Sequence, residues 1–556
     1  MKGHHNDVKE ERQVKNRFPC SLIEFIEVRM QTRTDRLYSL LKILLLAMFF
    51  AVLALIVLAQ ANPGTHSIHR DAGFYIYFGD QLLHGKTLYR DVWDHKPPAI
   101  YYLNAIALWI GQGSRWGVWL LEFIFLFTAI VFSHLALKRI WGTAAALAGT
   151  LLWLYGLEFT LEGGNLTEEY PLALHFISLL LFFRLLEQPS RRALQFLLGL
   201  LLAGTFLFRP NIAAIQIMMI LVLLVAAWTQ KRSRDILPLL LWTGAGAALP
   251  ILFVVGYFWS RGLFGELMDA VFTYNFAYSQ LPLHQASRLV AGFNLLGNVA
   301  RLSLAGYIAS LWLFIKEKQN RFLYSFILLS VPIMLYVNDP ATRLYPHYYM
   351  SLLPLIALLG AALWHLPGSW IASRLRLSHL HEIAGYSILI AVAILYLFRS
   401  ERAQGYINAY IGYTTDEQWM VEETSRIANH VRSITHPGDV VLFWGAYPDK
   451  NFLSGREAPT RALFYPLYVD SSISRKLNED FLHDLVAHPP VLIVDLSDPA
   501  EVPSLDREKR GQQLDGGFTL LYTPQNLQQV FEFIEQNYTL FEVVGGKPIY
   551  KLNSSP

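Results

Sequence analysis

LKILLLAMFFAVLALIVLAQA, residues 41–61, carries a single charge, Lys42, and follows a polar, basic segment spanning residues 1–40. A helix rises about 1.5 Å per residue and a bilayer's hydrocarbon core is about 30 Å thick, so this run can cross it as one helix. No small-residue cleavage pattern follows, and the run reads as an uncleaved signal anchor. Working outward, ten more apolar runs lie at 116–137, 140–157, 171–186, 193–208, 212–229, 236–259, 295–315, 322–337, 348–366 and 383–398. The fold they predict is a polytopic α-helical membrane protein of about 11 spans. Its membrane domain would be residues 41–399, with residues 1–40 as a basic cytoplasmic segment.

Composition agrees. Over 556 residues the chain is 53% hydrophobic and 16% charged, with a mean hydropathy of +0.32, which makes lipid its main solvent. A net charge of +3 without a Lys/Arg stripe among stacking aromatics excludes nucleic acid as a partner. The lone cysteine, Cys20, excludes an intramolecular disulfide or a cysteine-based metal cluster.

Lys and Arg in short loops are retained on the cytoplasmic side. With the N-terminus inside, strict alternation puts Lys138-Arg139, Arg184 with Arg191-Arg192, Lys231-Arg232-Arg234, Lys316 with Lys318 and Arg321, and Arg374 with Arg376 all inside. This parity requires the short apolar run at 100–110 to lie in the interface or re-enter without crossing. Residues 62–115, 158–169, 209–211, 260–288 and 338–347, and everything after Arg399, then face outward. The expected location is the cell (inner or plasma) membrane, with an extracytoplasmic C-terminal domain at 400–556. There charge frequency rises to that of a soluble α/β unit. The expected elements are a helix over 416–434, strands over 439–445 and 491–496, a helix over 527–537 and a strand or hairpin around Gly545-Gly546, suggesting a small doubly wound sheet. Gly445-Ala446-Tyr447-Pro448 lacks a phosphate-binding glycine pattern, which speaks against a nucleotide site.

The outer loops hold the chemistry. Asp71 lies about ten residues past the first span. The aromatics Phe74, Tyr75, Tyr77 and Phe78 after it suit an amphipathic helix at headgroup level. Its carboxylate is either a salt-bridge partner of Arg70 or a general base whose proton affinity burial raises. Pro97-Pro98 fix the chain as it returns to the membrane and hold Lys96 at phosphate depth. Arg209, beside Pro210, either snorkels or meets a lipid headgroup. Glu168 and Glu169 either cap the following helix, with Thr167 or Asn165 as the cap residue, or contact a metal or an acceptor hydroxyl. Asn165-Leu166-Thr167 is also a short glycosylation sequon. In 338–349, Arg343 and His347 are candidate phosphate partners and Tyr345 a substrate contact, while Tyr349 fits an interfacial aromatic belt.

In order and sidedness, Asp71, the Tyr89 to Pro98 stretch ending Lys-Pro-Pro, Gly164-Asn165-Leu166-Thr167-Glu168-Glu169-Tyr170 and Tyr345-Pro346-His347-Tyr348-Tyr349 resemble the C-type membrane glycosyltransferases that use polyprenyl-phosphate sugars. That superfamily includes the protein O-mannosyltransferases and the lipid A aminoarabinose transferase. The resemblance covers about residues 41–366 and implies inverting transfer of a hexosyl or pentosyl group from a polyprenyl-phosphate donor to a glycan, lipid or protein hydroxyl. Asp71 would be the base and Lys96 the carrier-phosphate contact, with residues 260–288, including Asp269, Tyr274 and Asn275, walling the acceptor side. Relatives often carry Asp-Glu where this chain has Asp71-Ala72, so a second acid would come from Glu168 or Glu169. Members differ in metal use, which leaves a divalent metal open. A polytopic transporter or lipid flippase is the alternative, although no half-repeat and no midplane charge pattern supports it.

Overall fold

A computed structural model describes residues 40–41, 43–279, 286–338, 344–375, 415–445, 447–463, 471–497, 502–515 and 524–553. The expected span at 383–398, the boundary at Arg399 and Arg343 lie outside the described residues. Leu53–Pro556 form one compact unit, and the start of the first span, up to Val52, belongs to another. Among the described residues seven helices are long and apolar enough to cross a membrane, and the chain is a multi-pass membrane protein. The first of them is Ile43–Ala61, labelled α1.

After α1 come α2 (Arg70–Leu83) and α3 (Ala99–Ile110). At 12 residues α3 is too short to cross, as the charge parity requires. Next is α4, Arg115–Glu158, whose 44 residues would extend about twice the thickness of a hydrocarbon core if straight. Gly142 breaks it at φ +81°, a conformation that glycine adopts without steric cost. Across this break the two halves fold back on each other: Ser133 Oγ lies 3.2 Å from Thr150 Oγ1 and accepts from Trp153 Nε1 at 3.1 Å. The two expected spans at 116–137 and 140–157 are therefore one hairpin.

The bundle continues with α5 (Pro171–Glu187), α6 (Arg192–Phe208), α7 (Ala214–Thr229) and α8 (Ile236–Ser260). Helices α6 and α8 pack backbone to backbone: a Cβ on Gly199 would overlap the Thr243 carbonyl and one on Gly246 the Phe196 carbonyl. Such small-residue contacts suit helix association in lipid, where apolar burial adds little. Asn298–Lys316, Arg321–Asn338 and Leu353–Leu375 complete the described bundle.

The C-terminal region forms a four-stranded sheet, with β1 (Val441–Trp444), β2 (Leu492–Asp495), β3 (Tyr538–Val544) and β4 (Lys547–Leu552) in the order β1-β2-β4-β3. β1 and β2 are parallel, but β4 runs antiparallel to both neighbours. The sheet is thus mixed and not doubly wound, because Gly545 and Gly546, both at positive φ, turn β3 straight back into β4 as a two-residue hairpin.

This sheet domain packs on α2 and the segment that follows it, in the loop expected to face outward. Tyr77 Oη accepts from the Ala458 amide at 2.8 Å, and the Trp93 amide donates to the Arg461 carbonyl at 2.7 Å. Phe74, Tyr75, Tyr77 and Phe78 are all buried, so α2 is enclosed by protein and does not lie at the headgroup surface as its spacing suggested. At Gly73 an added Cβ would stand 2.9 Å from Asp449 Cβ and 3.2 Å from its backbone nitrogen. Gly73→Ala is expected to loosen the Pro448–Ser454 helix from α2 and lower stability by about 1–3 kcal/mol, measured as a drop in the thermal midpoint in lipid nanodiscs.

Candidate active site

Asp71 occupies the first turn of α2, after His69 in an extended conformation, where a helix favours an acid. Its side chain keeps 30% exposure and its Oδ2 lies 3.8 Å from His347 Nε2. The other ring nitrogen, Nδ1, lies 2.5 Å from Glu162 Oε2, which also accepts from the His347 amide at 3.1 Å. With Glu162 as acceptor, Nδ1 donates to it, and Nε2 faces Asp71. Tyr345 stacks on the imidazole at 5.7 Å and Tyr348 meets it edge-on at 4.8 Å, which fixes the ring plane.

Burial raises the proton affinity of Asp71, but His347, Lys96, Arg70 and His69 together outweigh it and hold the carboxyl below its ordinary value. The sequence sets burial against Arg70 alone; His347 and Lys96 contribute more to the net lowering than Arg70 does. Burial works likewise against Glu162, and its bonds to His347 hold it low. Asp94 is nearly enclosed: it accepts from Tyr101 Oη at 2.5 Å and from the His95 amide at 2.7 Å, and its neighbours overcome burial to keep it ionised.

Lys96 shares a small cavity with Asp71, Asp94 and Tyr75, about 20 Å³ in volume, which is room for about one water-sized group. Burial, reinforced by Arg209, lowers the Lys96 ammonium to about 8 against the pull of Asp71 and Asp94. Two hydrogen bonds grip the backbone on either side: Tyr89 Oη donates to the Lys96 carbonyl and Asn275 Nδ2 to the His95 carbonyl, both at 2.7 Å. Tyr274, on a π-helical turn, packs on the His95 ring at 5.1 Å, so Tyr274 and Asn275 together clamp the lysine segment.

Beyond Lys96 a second cavity of about 310 Å³ runs to Arg209 and Tyr348 and is walled by Val271, Phe272 and Phe276. Arg209 ends α6 in an extended conformation, with its guanidinium 4.0 Å over the Tyr348 ring and its Nε donating to Asn211 Oδ1 at 3.1 Å. It also pairs with Glu168, whose side chain is 1% exposed. One end of this space is cationic and the rest apolar, the shape a lipid phosphate needs.

Other expected residues take different places. Glu168 faces Arg209, and Glu169 is buried beside Glu122, burial lifting it to about 7. Neither caps α5, which starts at Pro171 after Tyr170 without a side-chain cap, and Thr167 donates to Glu168 instead. Asn165 is buried and bonded to Asn104 and Tyr170, which closes its sequon to modification. Tyr349 is fully buried rather than belted at the interface. Sequence reading had not assigned Glu162, Asp94 or Glu122 a role; for Glu162 the signal was its place beside two glycines in an outer loop. Among the described residues no three His, Cys, Asp or Glu side chains converge as a metal site. Glu162, His347 and Asp71 form a chain and do not fit a metal.

Loops expected on the outer side thus meet one another, through Asp71, Lys96, Glu162, Arg209, Asn275 and His347. At the far ends of the same helices Arg139 pairs with Glu187, and His365 lies 3.2 Å from Glu317. Residues 95–259 match the family model of dolichyl-phosphate-mannose-protein mannosyltransferases. No curated protein matches the chain. Among solved structures, ArnT from Cupriavidus metallidurans bound to undecaprenyl phosphate is similar at 14% identity and a TM-score of 0.53, covering 90% of this chain and 97% of that one. Its apo state is similar at 15% identity and the same TM-score and coverage. Residues 95–259 thus match the model of one mannosyltransferase family, and the chain shares the fold of ArnT.

Proposed function

We propose that this protein moves a sugar, with inversion, from a polyprenyl-phosphate donor to a hydroxyl of a glycan, lipid or protein acceptor at the outer face of the membrane. The observation that carries the reading is the pairing of a half-exposed carboxylate, Asp71, with a cation-headed, apolar-walled cavity that opens at Lys96 and Arg209. Asp71 takes the acceptor hydroxyl's proton as that oxygen bonds to the anomeric carbon. The bond from that carbon to the phosphate oxygen breaks, and its electron pair leaves on the polyprenyl phosphate. Lys96 and Arg209 meet the charge that develops there, with Arg343 as a further phosphate contact. Glu162 holds His347 so that its imidazole orients Asp71, with Tyr345 over the ring, and Glu168 holds Arg209 in the same way. Glu169 belongs to the wall behind them.

Undecaprenyl phosphate, named with the similar ArnT structure, is the carrier class this reading carries over to the chain. The C-terminal sheet domain packs against α2, the helix that carries Asp71. Purified protein in nanodiscs, supplied with undecaprenyl-phosphate hexoses and pentoses and a crude envelope acceptor, tests the reading. Release of undecaprenyl phosphate together with a glycosylated acceptor is the expected result. Movement of intact donor between leaflets without cleavage would replace it with the flippase reading.

A further inference from the structure

The loop between α4 and α5 carries Glu162, which holds His347, and Glu168, which holds Arg209. Its backbone is unusual: Glu162, Gly163, Gly164 and Asn165 all have positive φ, from 45° to 87°. Two of these are not glycine, and a run of left-handed residues persists only where its surroundings fix it. The fixing group is a carboxylate that rises from inside α4. Glu122 is 3% exposed, and its Oε1 accepts from the Asn165 amide at 2.5 Å. Gly164 lies so near that a Cβ there would overlap the Glu122 carboxylate. Asn165 then exchanges hydrogen bonds of 2.9 and 3.0 Å with Asn104 and accepts from Tyr170 Oη at 2.8 Å, while the Glu169 carboxyl lies beside Glu122 and takes a 3.4 Å bond from the Leu166 amide. An acid in an apolar span is costly and has little reason to be there without such a partner.

We infer that Glu122 is a positioning residue: by accepting from the Asn165 amide it fixes the Glu162 to Asn165 turn, and through that turn it sets His347 against Asp71 and Glu168 against Arg209. The activity side of this inference rests on the proposed transfer reaction; the structural side does not.

Full-length protein in nanodiscs, as wild type, Glu122→Gln, Glu122→Ala and Gly164→Ala, would be followed by hydrogen exchange of the 160–170 amides and by initial rates with undecaprenyl-phosphate sugars. Glu122→Ala should speed exchange of these amides at least about tenfold, by removing the buried acceptor. It should lower kcat about 100-fold with KM within about threefold, since a small displacement of the catalytic groups acts on the chemical step. Glu122→Gln keeps an acceptor oxygen and should stay within about threefold of wild type in both readouts. Gly164→Ala, which leaves Glu122 in place, should reproduce the Glu122→Ala pattern. Unchanged exchange in Glu122→Ala, or equal damage from the glutamine in a folded protein, overturns the inference. If wild type turns over no donor, the transfer reading fails while the exchange arm still decides the positioning claim.

Discussion

Asp71→Asn is expected to lower turnover by about three orders of magnitude, near the middle to upper part of the range for removing a positioned general base. Asparagine matches aspartate in shape and can still face His347 Nε2, so fold and insertion should survive. What it lacks is a site for the acceptor's proton. The cations that surround Asp71 hold its carboxyl low, so it is ionised across the physiological range and is a weak base toward a free hydroxyl. Proton transfer therefore belongs late in the step, after the glycosidic bond has begun to break and the attacking oxygen has become acidic. Initial rates with an undecaprenyl-phosphate sugar, beside the thermal midpoint of the same preparation, check this. Near wild-type turnover in a folded Asp71→Asn protein would remove Asp71 as the base.

Lys96→Met is expected to cost about 100- to 1000-fold in kcat, the range seen when one preorganised donor to developing charge is lost. The side chain is lined up for that task, since Pro97 follows it and the Tyr89 and Asn275 bonds grip the backbone on either side. Its proton is also weakly held. Burial and Arg209 bring the ammonium to about 8 in the free protein, so the charge is complete below that pH and is lost as pH rises through it. Turnover at low donor concentration should accordingly fall above about pH 8 in wild type, whereas Lys96→Arg, which stays charged, should move that fall to higher pH. A flat profile through this window would detach Lys96 from the carrier phosphate.

Much of the membrane fold could be read from the chain because each rule involved is local. Apolar length placed a helix at each expected span that falls on described residues, the run at 100–110 was too short to span, and Gly545-Gly546 marked the β-hairpin. What escaped depends on contacts remote in sequence. Glu162 and His347 are 185 positions apart, and no spacing rule links them. Glu122 lies within an apolar span, and the Asn165 amide that it accepts from is 43 positions away. The aromatics of α2 have the spacing of an interfacial helix, but α3 takes Tyr75 and Phe78 against Tyr101 and the C-terminal domain takes Tyr77. For Asp71, proximity to Arg70 was visible, whereas the larger contribution of His347 and Lys96 required their loops to be folded together.

Single-turnover transfer from an undecaprenyl-phosphate sugar of known anomeric configuration, with the product's anomer assigned by NMR, tests the account most directly. Direct displacement with Asp71 as the only base predicts a product of opposite configuration and none above background from Asp71→Asn. A product of retained configuration would require a covalent glycosyl intermediate on a second carboxylate and would contradict it.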